Sequence, residues 1–192
     1  MRTPYVVGFM GYAGVGKTTI SRMLQSIAPD QIEIVSFAGP LKKAVQDLFL
    51  FSDDQVYGTK EDKEMIDERW GVSPRKVMQV IGTDCLRQMI HPKFHVMRMS
   101  AYLQQCNKPL VIIDDIRFED EAELVSQYGR CFAIKRPGYP AEDIRHASEY
   151  PPFQLASSYY FLNNAKDLIE LETNIHTSVI ATLVREKINE VG

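Results

Sequence analysis

The stretch Gly11-Tyr12-Ala13-Gly14-Val15-Gly16-Lys17-Thr18 sets two glycines five residues apart, directly ahead of a Lys-Thr pair. This is the spacing of a phosphate-binding loop. Glycines let backbone amides curl around a triphosphate at a helix N-terminus, where unpaired N–H groups and the helix dipole favour anions. Ala13, Gly14, Val15 and Gly16 are then the backbone cradle for ATP, Lys17 holds the outer phosphates, Thr18 faces a magnesium ion, and Thr19 lies beside it. A second set of reactive groups follows the apolar run Leu110-Val111-Ile112-Ile113: Asp114-Asp115, then Arg117. Carboxylates at the end of a buried strand, downstream of a phosphate loop, are placed to orient magnesium through its waters.

A third set suits an anionic, base-bearing ligand. Ser73-Pro74 opens a helix in which Val77, Val80 and Ile81 face inward, while Arg75, Gln79 and Gly82 fall at i, i+4 and i+7 on another face. Arginine offers a fork matched to phosphate, Gln pairs a donor with an acceptor as a base edge requires, and Gly82 allows close approach. Lys42 stands near the start of the helix opened by Pro40. A cation is unfavourable there toward the helix dipole, which points to an anionic ligand close by. His91 and His95 are also four apart, but Pro92 between them and the lack of a nearby Cys or carboxylate argue against a metal pair.

The elements that must carry these groups alternate. Tyr5–Met10 reads as a buried strand feeding the glycine loop, and Ile20, Met23, Leu24 and Ile27 as the inner positions of the helix after it. Ile32–Phe37, Leu110–Ile113, Cys131–Ile134 and Tyr159–Leu162 read as four further strands. Helices lie between them, Glu119–Tyr128 being closed by Gly129, and a last helix runs to Val191 on Leu168, Leu171, Ile175, Val179 and Leu183. This pattern predicts a three-layer α/β fold, a five-stranded parallel sheet with helices on both faces and its site along the strand C-terminal edge. Ser52 to Trp70 is strongly charged with scattered apolar anchors and reads as an exposed, mobile cover. The irregular Pro/Gly-rich stretch 137–152, carrying Arg145, His146 and Glu149, reads as a lid.

At 192 residues with a net charge of -3, the chain suits one domain without the excess of basic residues that nucleic-acid backbones demand. No apolar stretch reaches membrane-spanning length, and no targeting segment is visible. Cys85, Cys106 and Cys131 are few, odd in number and widely spaced, which suits reduced thiols in a cytoplasmic protein rather than disulfides or a zinc site.

Several motifs together resemble the phage deoxynucleoside monophosphate kinases. They are Ser36-Phe37-Ala38-Gly39-Pro40-Leu41-Lys42, Arg75-Lys76-Val77-Met78-Gln79 with Gly82-Thr83-Asp84, Asp115-Ile116-Arg117, Arg136-Pro137-Gly138, and His146 with Glu149. The resemblance spans nearly the whole chain, and its Arg75 to Asp84 block is the most specific part. It implies a single phosphate-loop kinase domain, NMP kinase-like with a lid. Its core would be about 1–39 and 107–192, its acceptor-binding helical region about 40–106, and its lid about 137–152. The implied reaction moves the γ-phosphoryl group of ATP to a deoxynucleoside monophosphate (dNMP), giving dNDP and ADP.

The implied donor-side roles are Lys17 on the donor phosphates, magnesium near Thr18 and Asp115, Arg117 and Arg136 at the transferring group, and Asn163 and Asn164 beside the adenine of ATP. On the acceptor side Arg75 and Lys42 take the phosphate, while Phe37, Ala38, Gln79, Gly82, Thr83, Asp84 and Arg117 shape the dNMP pocket. Partners would be small-molecule nucleotides alone, with neither nucleic acid nor membrane, for a monomer or homodimer in the cytoplasm, or a host's cytoplasm if viral. Animal-type phosphomevalonate kinases share the phosphate loop, the Pro-Leu-Lys segment and the Asp-x-Arg. Gln79 with Gly82-Thr83-Asp84 favours the nucleotide, because phosphomevalonate has no base to read. A phosphate-loop module that binds ATP as a switch, with no small acceptor, is the rival of another class.

Overall fold

Apolar runs bounded by turn residues become the strands of one parallel sheet. The computed structural model describes residues 3–136, 151–161, 174–175 and 178–190. Contacts divide the chain into two units, Met1–Ser36 with Met99–Gly192, and Phe37–Arg98.

The first unit holds strands β1 (Tyr5–Met10), β2 (Ile32–Val35), β3 (Leu110–Ile116), β4 (Gly129–Lys135) and β5 (Ser158–Phe161). Their order is β2-β3-β1-β4-β5, and every neighbouring pair is parallel. Side chains alternate along each strand, and the two faces take different helices. Val7 and Phe9 of β1, Ile112 of β3 and Ile134 of β4 share one core with Ile20 and Leu24 of α1 (Lys17–Gln25). The C-terminal helix packs on that same core. On the other face Gly8 admits α7 (Glu119–Tyr128) so closely that an added Cβ would stand 2.7 Å from Val125 Cγ1. Helices on both faces make three layers, as the alternating pattern predicts. β1 and β3 are neighbours whose onward connections leave to opposite sides, the arrangement at whose strand C-terminal ends open α/β sheets take ligands.

Gly129 opens β4 opposite Val6, and a Cβ there would run into the Val6 carbonyl oxygen. That neighbour is backbone of the central strand and cannot step aside. Gly129→Ala should therefore cost stability near the top of the ~1–3 kcal/mol range of overpacking. Urea unfolding should show a lower midpoint with an unchanged slope; a midpoint equal to wild type would contradict the packing described.

The C-terminal helix α8 spans Val179–Asn189, started by Ser178, whose hydroxyl accepts from Ala181 N at 3.2 Å. Ile175 and Leu183 are buried as expected, whereas Val179 is exposed. As the first residue after the cap, Val179 lies in the opening turn, and the inward stripe runs instead through Ile180, Ala181, Val184 and Ile188. Leu168 and Leu171 lie outside the described residues.

The second unit has its own small core, Val45, Phe51, Val56 and Val77. Its helices are α2 (Gly39–Phe49), α3 (Asp53–Tyr57), α4 (Lys60–Glu64) and α5 (Pro74–Gln79), followed by a π-helix over Val80–Ile90. Helix α6 (Phe94–Gln105) then leads back to the sheet unit.

Ser52 to Trp70 is not the loose cover its charge suggests. Ser52 with Gln55 and Thr59 with Asp62 form capping boxes that start α3 and α4. Beyond them Asp67 is buried and accepts from Arg69 Nη2 at 2.6 Å and Gln55 Nε2 at 2.8 Å. The Arg69 hydrogen bonds, then Gln55, hold the Asp67 carboxyl well below the usual carboxylate range. Trp70 donates from Nε1 to Phe49 O at 2.9 Å and sets its ring edge-on against Phe49. Helices of five residues are too short to show an apolar period, so only their caps announce them.

The π-helix is the other departure. His91 N donates to Leu86 O, five residues back. The 3.6-residue repeat places Val80 inward, yet it is exposed, at the residue where α5 gives way to the π-helix. Val77 is buried, and Ile81 packs partly against the core, as predicted.

Candidate active site

The chain leaves β1 through the glycine loop, and three glycines there have positive φ: Gly11 (156°), Gly14 (76°) and Gly16 (104°). Gly16 is the residue before α1, and no side chain caps that helix. The amides of its first turn therefore face outward from a left-handed entry that glycine adopts without strain. Val15 is buried in the sheet core and pins the loop, while Ala13, Gly14, Thr18 and Thr19 are exposed around it. Lys17 is half-buried, and its ammonium donates to Gly11 O at 2.7 Å and Tyr12 O at 2.9 Å. Its positive charge thus sits over the loop's own carbonyls, at the mouth of the anion cradle.

Thr18 Oγ1 donates to Asp114 Oδ2 at 2.7 Å. The motif reading set the metal-side carboxylate at Asp115; the hydrogen bond goes to the residue before it. Ile112 faces the α1 side of the sheet, and the pairing of β3 with β1 shifts register between Ile113 and Ile116, the stretch that carries both carboxylates. The Thr18 hydroxyl and the Asp114 carboxylate are an oxygen-only donor pair, which fits a hard divalent cation such as magnesium.

Arg117 follows β3 with its side chain exposed. Its amide, with that of Phe118, is held by Glu121. At the end of β4, Lys135 Nζ lies 5.1 Å from the centroid of Phe153, and Arg136 next to it is exposed. The Phe153 ring meets Tyr12 of the phosphate loop edge-on at 5.4 Å. Gln154 beside it donates to Glu119 Oε1 at 2.6 Å. Arg145, His146, Glu149, Asn163 and Asn164 lie outside the described residues.

Of the expected acceptor groups, all but Arg117 lie in the second unit. Phe37 is buried, and Ala38 precedes the first residue of α2. Lys42, in the opening turn of α2, lies 5.5 Å from the centroid of the Tyr57 ring. Arg75 is half-buried in α5, with Nε 3.9 Å from Glu64 Oε1, and Gln79 is half-buried at the end of the same helix. Gly82 is buried so close to Leu41 that an added Cβ would stand 2.6 Å from its Cδ2, which ties it to the turn bearing Lys42. Thr83 and Asp84 are half-buried in the π-helix.

His95 is buried, and its Nε2 meets Gly82 O at 3.0 Å. His91 Nδ1 accepts instead from Lys93 N. The two histidines are thus committed to different backbone groups. Sequence reasoning missed Asp114 as the partner of Thr18, Glu121, and His95 as a brace for Gly82.

A parallel sheet in this order, a glycine loop leading into an uncapped helix, and a threonine tied to a carboxylate on the adjacent strand define a phosphate-loop kinase fold. A solved shikimate kinase from Bacteroides thetaiotaomicron superposes with a TM-score of 0.52 at 11% identity, over 94% of this chain and 98% of that one, a likeness of fold alone. The profile of the deoxynucleotide monophosphate kinase family matches residues 41–175. A protein of Acanthamoeba polyphaga mimivirus assigned to the same kinases is 37% identical over 189 residues, covering 91% of this chain and 95% of its relative. The deoxynucleoside-5'-monophosphate kinase of Escherichia phage T5 is 30% identical over 115 residues, half of this chain and 43% of that enzyme. The chain belongs to the deoxynucleotide monophosphate kinase family.

Proposed function

We propose that the protein transfers the γ-phosphoryl group of ATP to a dNMP, giving dNDP and ADP. Family membership supports the reaction, and the hydrogen bond from Thr18 to Asp114 beside the glycine loop is the observation that carries the donor site. The acceptor phosphate, with a second pKa of about 6, is already mostly dianionic near neutrality. Little acid or base help is needed, and the barrier is the approach of two anions.

Lys17 answers that barrier on the donor phosphates, together with the loop amides of Ala13 to Thr19. Arg117 and Arg136 supply positive charge to the transferring group from the ends of β3 and β4. Thr18 and Asp114, with Asp115, would hold magnesium, which would supply neutralising charge to the donor phosphates. Arg75 and Lys42 take the acceptor phosphate. Gln79, Thr83 and Asp84, with Phe37, Ala38 and Gly82 as walls, form the base and sugar pocket. Arg145, His146 and Glu149 close over the phosphates, and Asn163 and Asn164 border the adenine. The protein works in the cytoplasm as a monomer or homodimer, the three free cysteines suiting that compartment.

Offering magnesium-ATP with each of the four dNMPs, and separately with phosphomevalonate, tests the acceptor. At least one dNDP should form and phosphomevalonate should be inert; the reverse would defeat the reading. Replacing the two carboxylates one at a time tests the metal side. Asp114→Asn should raise the magnesium concentration for half-maximal rate by about tenfold or more, the usual cost of losing a partner that orients a ligand, and Asp115→Asn should raise it less. A larger shift from Asp115→Asn would move the metal-side role to that residue.

A further inference from the structure

We infer that Glu121 is a positioning residue that holds the backbone of Arg117 for phosphoryl transfer, an inference that rests on the kinase reading above. A buried carboxylate is costly unless hydrogen-bonded, and Glu121 is only 3% exposed. Its Oε2 accepts from Arg117 N at 2.8 Å and Phe118 N at 3.2 Å. Phe118 occupies the position before α7 where Ser, Thr, Asp or Asn commonly caps a helix, and its side chain has no acceptor. The third residue of the helix supplies the cap instead, reaching back as the Glu of a capping box does.

The shorter of its two bonds passes the helix start altogether and ends on the Arg117 amide. The segment from Asp114 to Glu121 is therefore fixed at both ends. Asp114 is tied to Thr18 of the phosphate loop, Ile116 is buried, and Glu121 anchors the peptide where the chain turns from β3 into α7. Arg117 stands between these anchors with an exposed side chain. A long cation contributes to an in-line transfer only as far as its backbone is held, since small misplacements from remote substitutions cost up to about a hundredfold in rate.

A helix cap with no link to Arg117 would give the same two hydrogen bonds, so the test must separate the two roles. Glu121→Ala should lower kcat between about tenfold and a hundredfold, with the KM for ATP within about twofold of wild type. Glu121→Gln keeps an acceptor oxygen and should restore most of the rate. Glu121→Asp, one methylene shorter, keeps the charge and should fall toward the alanine variant, which secures the test should Glu121→Ala not fold. In an Arg117→Ala background none of these changes should lower kcat further, because the residue they act through is gone. Losses that multiply with that of Arg117→Ala, or a Gln variant as slow as the shortened ones, would overturn the inference and leave a helix cap only. A wild-type protein that phosphorylates no dNMP would overturn the kinase reading and this inference with it, before any variant is compared.

Discussion

Lys17→Ala should lower kcat by roughly 10²–10³-fold, the usual cost of removing one preorganised group that stabilises developing charge. The lysine follows Gly16 at the entry to α1, and its ammonium lies within 2.9 Å of the Gly11 and Tyr12 carbonyls. It belongs to the loop and not to the core, whose anchor there is the buried Val15. Circular dichroism should therefore keep its wild-type form, while loss of a charged hydrogen bond, about 1.5–3 kcal/mol at most, should lower the thermal midpoint by no more than about ten degrees. A folded Lys17→Ala protein with near-normal turnover would remove the phosphate loop from the donor site.

Arg75→Ala should separate the two substrates. Loss of a charge-assisted contact to phosphate costs about 1.5–3 kcal/mol, or roughly ten- to a hundredfold in dNMP affinity, with ATP binding spared. Its Nε lies 3.9 Å from Glu64 Oε1, and both residues sit in the helical unit, apart in sequence from the phosphate loop. Gln79→Ala, one α-turn further along the same helix, should change the ranking of the four bases more than the affinity for phosphate, because an amide reads donor and acceptor edges rather than charge. Isothermal titration of both variants with ATP and with each dNMP checks this. An Arg75→Ala defect confined to ATP would place the acceptor elsewhere.

The sheet was legible in the sequence wherever burial was complete. Val6, Val7, Phe9 and Met10, and then Leu110 to Ile113, are apolar without interruption because both faces of these central strands are covered, and the structure buries every one of them. The phosphate loop was legible because its geometry needs glycine at fixed places. Where the sequence misled, two local effects were at work. The polar run from Ser52 to Trp70 carries its structure in caps and in the buried Asp67, signals that no hydrophobic period contains. The 3.6-residue repeat read from Arg75 to Gly82 does not continue past Gln79, since nothing in its composition marks the change to five-residue hydrogen bonding from Val80. Asp114 and Asp115 fall where the pairing of β3 with β1 shifts register, a break that motif matching does not show. Glu121 was hidden because its effect lies in where a side chain reaches back, four residues to the Arg117 amide.

Following the label from γ-labelled ATP, with magnesium and a single dNMP present, tests the central claim most directly. The label should appear in the β-phosphate of the dNDP in a one-to-one ratio with the ADP formed, and neither product should form when the dNMP is omitted. Label recovered only as inorganic phosphate, at a rate indifferent to every dNMP, would contradict the account.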